Sequence, residues 1–272
     1  MKAIVNTAVC PMYGAPTRES ALTDEVLYGM VVDILESPAP GWYRVRTHYR
    51  YEGLVSAQNL IVDGEAAAAW EKLPKQVVRN KNFCDVLSVP KVQGWHLAAL
   101  TRGCVVSPVG QPEQGWQRVL LADGRTGYVQ SSILDTYHIS PLSGDETRLR
   151  QALVDAALLY RGTHYRWGGK SPMGIDCSGL VSMAYMLCGI LIYRDADIRE
   201  GFPIHEIALD DLKPGDLLFF PGHVAMYMGG GRYCHSTGRS GDDGFTINSL
   251  DPAAPDYRAD LPGMITHVGS YF

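Results

Sequence analysis

The spacing of hydrophobic residues divides the chain into two parts of different periodicity. Over roughly the first 140 residues, short apolar runs alternate with clusters of turn-forming residues, which is typical of a β-rich region. From about residue 147, apolar residues first recur at helical spacing, and runs of strand length follow between residues 217 and 268. Because helices here precede a set of antiparallel strands, we expect an α+β domain in the second part.

A weak internal repeat runs through the first part. Residues 41–45 (GWYRV) return as residues 115–119 (GWQRV), and a Gly-x-Val strand follows each copy. We predict strands at 26–35, 41–48 and 53–55, and again at 86–89, 103–107, 116–121 and 127–129. A helix at 66–73 separates the two sets. This spacing predicts two small units of five to six strands, with Trp42 and Trp116 in their cores.

In the second part, one cysteine lies at the start of a predicted helix. Apolar residues recur at helical spacing from Leu180 until Gly189, a helix-stop residue, so Cys177 falls in the first turn. Unpaired backbone N–H groups and the helix dipole at that end lower a thiol pKa, and the thiolate is the nucleophilic form. A buried structural cysteine is equally compatible with this position alone.

Two histidines on a predicted hairpin supply the partners of a nucleophile. Three glycines at 229–231 predict the tip of a β-hairpin. Pairing of Met228 with Arg232 would place His223 and His235 on one face as diagonal neighbours. A nucleophile, a base and a residue that orients the base are the general form of a cysteine hydrolase site.

Zinc binding is the rival interpretation of the same side chains, namely Cys177, Cys234, His223 and His235. Cys234 and His235 are adjacent on a strand and therefore point to opposite faces. The chain also has no Cys-x-x-Cys or His-Glu-x-x-His spacing. The sequence therefore favours a cysteine hydrolase that uses no metal and no other cofactor.

Composition and charge bound the function further. The 272 residues carry a net charge of −5, so nothing favours nucleic-acid binding. No apolar stretch approaches the ~20 residues of a membrane helix, and we expect neither a membrane contact nor a signal peptide. Six cysteines at irregular positions do not read as a disulfide framework, so a reducing cytoplasm is the expected compartment. The oligomeric state is left open.

Three motifs occur together in the second part: YxWGG at 165–169 with DCSG at 176–179, GDLxFF at 215–220, and HVAxY at 223–227. Together they resemble the NlpC-type papain-like cysteine peptidases of bacteria, over roughly residues 145–272. In that family a cysteine attacks an amide of a peptidoglycan stem peptide, one histidine is the base, and a second orients it.

The resemblance implies a role for each matching residue. Cys177 becomes the nucleophile, His223 the base and His235 its orienter. Tyr165 would donate its hydroxyl to the oxyanion together with the backbone N–H of Cys177. Two residues beside the nucleophile keep the family pattern and are expected to bind substrate, Asp176 and Ser178.

The glycine-tryptophan pattern of the first part resembles bacterial SH3-like domains. The resemblance implies one SH3-like domain at 1–63, a linking helix at 64–75 and a second SH3-like domain at 76–138. A linker at 139–146 leads into the peptidase domain at 147–272. The expected fold class is therefore multidomain, with two small all-β SH3-like barrels followed by an α+β papain-like cysteine peptidase domain.

This layout resembles one subgroup, the γ-D-glutamyl-L-diamino acid endopeptidases. The subgroup has an Arg-Asp-Ala-Ser run after the cysteine helix, matched here by residues 194–197 (RDAD). The resemblance implies that Asp195 binds the substrate ammonium, while Asp197 replaces the serine. It also implies that a tyrosine of the first SH3-like domain lies by the same amine. Tyr51 matches that tyrosine, with Tyr49 as a substitute.

One subgroup residue has no match, because Ala21 stands where the subgroup has a glutamate, between Glu19 and Glu25. The expected substrate is a murein peptide with a free N-terminal L-alanine, cut between γ-D-glutamate and diaminopimelate or lysine, in recycling of cell-wall peptides. The alternatives are an envelope hydrolase whose SH3-like domains bind the wall polymer, and a catalytically idle wall-binding protein. The intact cysteine and histidines argue against the last.

Overall fold

A computed structural model describes residues 1–272, which divide into two compact units, Met1–Tyr137 and His138–Phe272. Single 3₁₀ turns lie at Ala57–Asn59, Ser131–Ile133, Leu209–Asp211 and Pro262–Met264. None of the helices has the length and apolar character needed to span a lipid bilayer.

The first sheet of the first unit has seven antiparallel strands. They are β1 Lys2–Val5, β2 Val9–Tyr13, β3 Leu22–Leu27, β4 Val31–Ala39, β5 Trp42–Thr47, β6 Glu52–Ser56 and β7 Leu60–Ile61. Their order in the sheet is β3-β2-β6-β5-β4-β1-β7. Alternation shows on β5, where Val45 and Thr47 are buried and Arg44 and Arg46 are exposed, as expected for a strand with one face on a core.

The second sheet repeats the first. Its strands are β8 Gln76–Val78, β9 Phe83–Leu87, β10 His96–Thr101, β11 Val105–Pro108, β12 Trp116–Leu120, β13 Thr126–Gln130 and β14 Leu134–Thr136. Their order, β10-β9-β13-β12-β11-β8-β14, is that of the first sheet with every number raised by seven. The internal repeat is confirmed, although each copy has seven strands rather than five to six. A closed SH3-like barrel in either copy stays a prediction.

A helix, α1 Gly64–Lys72, lies between the two sheets in the sequence, close to the predicted 66–73. Asp63 caps it, because its carboxylate accepts hydrogen bonds from two backbone N–H groups of the first turn. On its buried face Trp70 donates its indole N–H to the carbonyl of Gly29 at 2.8 Å. The contact attaches the helix to the turn between β3 and β4.

The second unit combines two α-helices with an antiparallel sheet, which confirms the predicted α+β class. The helices are α2 Glu146–Leu158 and α3 Cys177–Met186. The strands are β15 Lys170–Ser171, β16 Gly174–Ile175, β17 His205–Ile207, β18 Leu217–Phe220, β19 His223–Gly229, β20 Arg232–Thr237, β21 Gly244–Ser249 and β22 His267–Ser270. β15 and β16 form a separate two-stranded ribbon, and the main sheet has the order β17-β22-β18-β19-β20-β21.

Every residue of α3 is buried. The helix contacts α2, the β15 ribbon and the central strands β19 and β20. A helix that is enclosed in this way has little freedom to tilt or shift, because protein interiors are close-packed. The first residue of α3 is therefore held rigidly against the middle of the sheet.

Candidate active site

The start of α3 is built around the side chain of Asp176. This residue is the N-cap, and its carboxylate accepts hydrogen bonds from the backbone N–H of Gly179 at 2.6 Å and of Gly168 at 2.8 Å. One side chain therefore satisfies an unpaired helix N–H and anchors the glycine loop that precedes it. Cys177 is the first helical residue, as predicted, and only 6% of its surface is exposed.

Burial dominates the acidity of this thiol. It raises the pKa of Cys177 to about 11, with a further rise from the charge of Asp176. The backbone N–H groups of Val224 and Ser178 act in the opposite direction. Burial thus outweighs the decrease in the thiol pKa that is expected at a helix start, because desolvation disfavours the thiolate. The hydrogen bond from Val224 also places the sulfur beside the residue that follows His223.

His223 and His235 meet as predicted. Nε2 of His223 lies 2.7 Å from Nδ1 of His235, and the two rings stand edge to face. Nε2 of His235 lies 2.9 Å from Oδ1 of Asn248, whose amide group donates to the carbonyl of Asp256 at 2.8 Å. Asn248 lies on β21, opposite the histidine strand, and the sequence interpretation did not include it. Its spacing from the histidines gave no motif by which to find it.

The contacts of the two imidazoles define one direction for hydrogen-bond donation. The side chain of Asn248 offers its oxygen, so Nε2 of His235 carries the hydrogen and its Nδ1 is an acceptor. Nε2 of His223 then donates to that acceptor, which leaves Nδ1 of His223 free to accept a proton from the thiol. Burial lowers the pKa of His223 to about 3 and of His235 to about 4, so both are neutral bases at rest.

The hairpin register explains why the two histidines share a face. Met226 pairs with Cys234, the register expected from the glycine tip. The predicted pair of Met228 with Arg232 is wrong, because a bulge places Gly229 opposite Arg232 instead. The bulge lies at the tip, beyond the histidines, so it leaves their alignment unchanged.

Tyr165 reaches the same region from the loop before the nucleophile. Its backbone forms an isolated parallel β-bridge with Ile175. The carbonyl of Ile175 accepts a hydrogen bond from the hydroxyl of Ser236 at 2.7 Å. Burial, followed by the charge of Cys177, raises the pKa of Tyr165 to about 12. The phenol therefore stays protonated and can donate a hydrogen bond. Its ring lies against Gly238, where an added Cβ would come within 3.1 Å of it.

A partly buried imidazole chain beside a cysteine at a helix start matches the geometry of a cysteine peptidase. The model of the NlpC/P60 family matches residues 162–255, which include the cysteine and both histidines. Dipeptidyl-peptidase 6 of Lysinibacillus sphaericus is 43% identical over 275 residues that cover 100% of both chains. The chain belongs to the NlpC/P60 family of cysteine peptidases.

Two further similarities agree with this NlpC/P60 assignment. Gamma-D-glutamyl-L-lysine dipeptidyl-peptidase of Bacillus subtilis strain 168 is 34% identical over 149 residues, 50% of this chain and 46% of that protein. The crystal structure of an NlpC/P60 family protein from Bacillus cereus ATCC 10987 aligns with a TM-score of 0.82 over 100% of this chain and 99% of that one, at 20% identity. The latter likeness shows a shared fold.

In this NlpC/P60 peptidase, the side chains of Asp176 and Ser178 are engaged within the protein. Arg194 donates to both carboxylate oxygens of Asp176, at 3.2 and 3.3 Å, and to Oγ of Ser178 at 2.7 Å. A contact of either residue with substrate stays a prediction. In the sequence Arg194 stands out only as part of the 194–197 motif, and its burial follows from the fold.

Asp195 follows Arg194 in a segment without helix or strand. It lines a small pocket together with Val181 of α3 and Val224, the neighbour of His223. Asp195 is an exposed residue. Burial and the charge of Asp195 raise the pKa of Tyr193, which lines the same pocket.

The two tyrosines of the first unit that were predicted to lie near the substrate amine form hydrogen bonds within that unit. Tyr51 is partly buried, and its hydroxyl donates to the carbonyl of Thr23 at 3.4 Å. Tyr49 is buried and donates to the carboxylate of Asp24 at 2.6 Å. Asp24 and its neighbour Glu25 are both almost wholly buried, which the sequence interpretation did not anticipate. A role of Tyr51 in substrate binding stays a prediction.

Proposed function

We propose that this peptidase hydrolyses the amide between γ-D-glutamate and the diamino acid of murein peptides whose L-alanine is free at the N-terminus. The products are L-Ala-γ-D-Glu and the diamino acid or the peptide that it begins. The observation that carries the proposal is the place of Asp195 on a small pocket that is also lined by Val224, which follows His223, and by Val181, one helical turn after Cys177. The names of the two dipeptidyl-peptidase relatives agree with it.

The reaction follows from the direction of the imidazole chain. Nδ1 of His223 takes the thiol proton as the sulfur of Cys177 attacks the γ-carbonyl carbon of D-glutamate. The backbone N–H of Cys177 and the hydroxyl of Tyr165 hold the oxyanion. His223 then gives the proton to the departing α-amine as the C–N bond breaks, which leaves a thioester. Water, deprotonated by His223, attacks the thioester carbonyl and releases the dipeptide and the thiol.

The free amine is the expected basis of substrate choice. An α-amino group with a pKa near ~8 is mostly charged at neutral pH. A charge-assisted hydrogen bond from it to Asp195 is worth about 1.5 kcal/mol, the lower end of the range for such bonds, because Asp195 is exposed to solvent. The stem peptide of an intact wall is acylated at L-alanine and has no such cation. The proposed preference therefore favours released peptides over the sacculus.

Recycling in the cytoplasm is part of the same proposal. A peptide with a free L-alanine has already been separated from the glycan, so hydrolysis of it serves reuse of its amino acids. All six cysteines are free, including the nucleophile, and a reducing compartment suits a catalytic thiol.

Product analysis with one charge-removing variant tests the proposal. The wild type should convert L-Ala-γ-D-Glu-diaminopimelate or the corresponding lysine peptide to L-Ala-γ-D-Glu, identified by mass spectrometry. Asp195→Asn should lower kcat/KM about tenfold, the equivalent of one charge-assisted hydrogen bond. Asp210→Asn removes an exposed carboxylate elsewhere in the unit and serves as the control. Equal kcat/KM for wild type and Asp195→Asn would contradict the assignment of Asp195.

A second candidate function has one observation in its favour. A groove of about 490 Å³ in the second sheet is lined by aromatic and charged side chains, among them Trp116, Arg118 and Tyr128. In the first sheet the equivalent Trp42 packs edge to face against Tyr13 instead. We infer that both sheets are SH3-like and that this groove could hold wall polymer in an envelope hydrolase. Sedimentation with purified peptidoglycan, lost in Trp116→Ala, would support that function.

A further inference from the structure

A buried guanidinium lies next to the nucleophile but takes no part in the chemistry described above. Arg194 has 1% of its surface exposed. It contacts both oxygens of Asp176, the hydroxyl of Ser178 and, at 3.3 Å, the carbonyl of Gly169. The residues on either side of Cys177 therefore share one arginine.

These contacts join three separate parts of the chain. Gly169 belongs to the loop that carries Tyr165, while Asp176 and Ser178 flank the nucleophile. Arg194 itself belongs to the stretch between α3 and β17, which contains no helix or strand. The next residue in that stretch is Asp195. A planar fork of donors suits such a junction, because it fixes the direction of several acceptors at once.

We propose that Arg194 is a positioning residue that holds the nucleophile and the specificity carboxylate of Asp195 at a fixed separation. The nucleophile half of this inference rests on geometry alone, and the Asp195 half rests on the proposed function. The distance between Asp195 and Cys177 would then determine which amide bond is cut. A substrate whose amine is bound at Asp195 presents to Cys177 only the carbonyl that lies at the matching distance.

The local charges support the same role. The charge of Asp176 raises the pKa of the Cys177 thiol, and the charge of Arg194 lowers it. The other titratable groups near this site are His223 and His235 from the hairpin and Tyr165 from the loop. The charges of Arg258, Asp242 and Asp260 act on the histidines. Among the groups that shift the pKa of Cys177, Arg194 is the cation. Its removal would leave the carboxylate of Asp176 uncompensated beside the thiol.

A charge-conserving pair of variants separates positioning from general stability. Arg194→Lys keeps the charge and loses the fork. Arg150→Lys does the same at another buried arginine of the unit, which donates to the buried carboxylate of Asp216 at 2.8 Å. Both should lower the melting temperature. Arg194→Lys should also lower kcat at least tenfold and reduce the preference for uncapped over N-acetylated peptide, whereas Arg150→Lys should keep both within twofold.

A second measurement needs no peptide, so it stays decisive if the substrate assignment fails. The rate of iodoacetamide alkylation at Cys177, followed by mass spectrometry of its tryptic peptide, is recorded against pH. The pH midpoint should lie higher in Arg194→Gln than in wild type or Arg150→Gln. If Arg194→Gln does not fold, the kcat of Arg194→Lys decides alone. An unshifted midpoint, or an Arg194→Lys enzyme with the kcat and preference of Arg150→Lys, would overturn the inference.

Discussion

At the scale of single residues, the chemistry depends on which nitrogen of each imidazole carries a hydrogen. The hydrogen bond to Asn248 determines the tautomer of His235, and the hydrogen bond between the two rings then determines the tautomer of His223. Nδ1 of His223 is left to accept the proton of the thiol. Each residue along this chain is further from the reacting atoms. The cost of its removal should therefore decrease in the same order.

Alanine variants of the three residues test this order. His223→Ala removes the base and should lower kcat by ~10²–10⁴. His235→Ala should cost less, and Asn248→Ala least, because water can replace the oxygen that orients His235. Steady-state kinetics on the uncapped tripeptide measure all three. A His235→Ala enzyme slower than His223→Ala would reverse the two assigned roles.

The sequence was sufficient to predict that Cys177 begins a helix and that the two histidines meet, but not to predict the residues that support them. Cys177 and the two histidines could be predicted because a helix start and a hairpin with a glycine tip are local patterns. Asn248 and Arg194 act only through contacts that the tertiary fold creates, at positions without a motif. The pocket that Asp195 lines is likewise formed only by the folded chain.

At the scale of elements, the position of Cys177 depends on how closely the loop around Gly168 and Gly169 approaches α3. A Cβ added to Gly179 would come within 2.1 Å of the carbonyl oxygen of Gly169. No rotamer change can relieve such a contact, because the position of a Cβ is fixed by its own backbone and the other atom is a backbone oxygen. The absence of a side chain at Gly179 is thus what allows Asp176 to bind the loop and the helix together.

Gly179→Ala should destabilise the protein by roughly 1–3 kcal/mol, the usual cost of overpacking a tight site. Gly144→Ala is the matched control, since nothing lies within 4 Å of a Cβ added there. Thermal unfolding measures the difference, and kcat should fall in Gly179→Ala as the cysteine shifts. Equal melting temperatures for the two variants would show that the loop at Gly169 can move away from α3 at no cost in stability, which would contradict this prediction.

The elements themselves were predictable to different degrees. The α3 helix, the β19–β20 hairpin and the repeat of the first unit follow from periodicity and from the glycine and tryptophan spacing. The short strands β7 and β14 have two and three residues, too few for periodicity to show. The bulge between Tyr227 and Gly229 could not be foreseen either, since three successive glycines permit several turn geometries.

At the scale of the whole molecule, two neutral histidines, one half-buried and one buried, link stability to pH. The pKa values of His223 and His235 are lowered from 6.5 to about 3 and about 4. The unfolded chain therefore binds more protons than the folded one below pH 6.5. Stability from this source is complete above 6.5 and decreases as the pH falls toward the folded values.

His235→Gln should flatten this dependence. Each such histidine contributes a slope of about 1.4 kcal/mol per pH unit between the unfolded and folded pKa values. Chemical unfolding at pH 7, 6 and 5 would measure the free energy in wild type, in His235→Gln and in His205→Gln, which changes an exposed histidine. A wild-type slope no steeper than that of His235→Gln would mean that His235 binds a proton as readily in the folded protein as in the unfolded chain.

The proposed cysteine peptidase site selects its substrates by their free N-terminal amine. The most direct test compares kcat/KM for L-Ala-γ-D-Glu-diamino acid tripeptide with and without an N-acetyl group, with Cys177→Ala as the inactive control. We expect wild type to cut the uncapped peptide at least tenfold faster than the capped one, and Cys177→Ala to cut neither. Equal rates on the two peptides would contradict the amine pocket, and an active Cys177→Ala would contradict the mechanism.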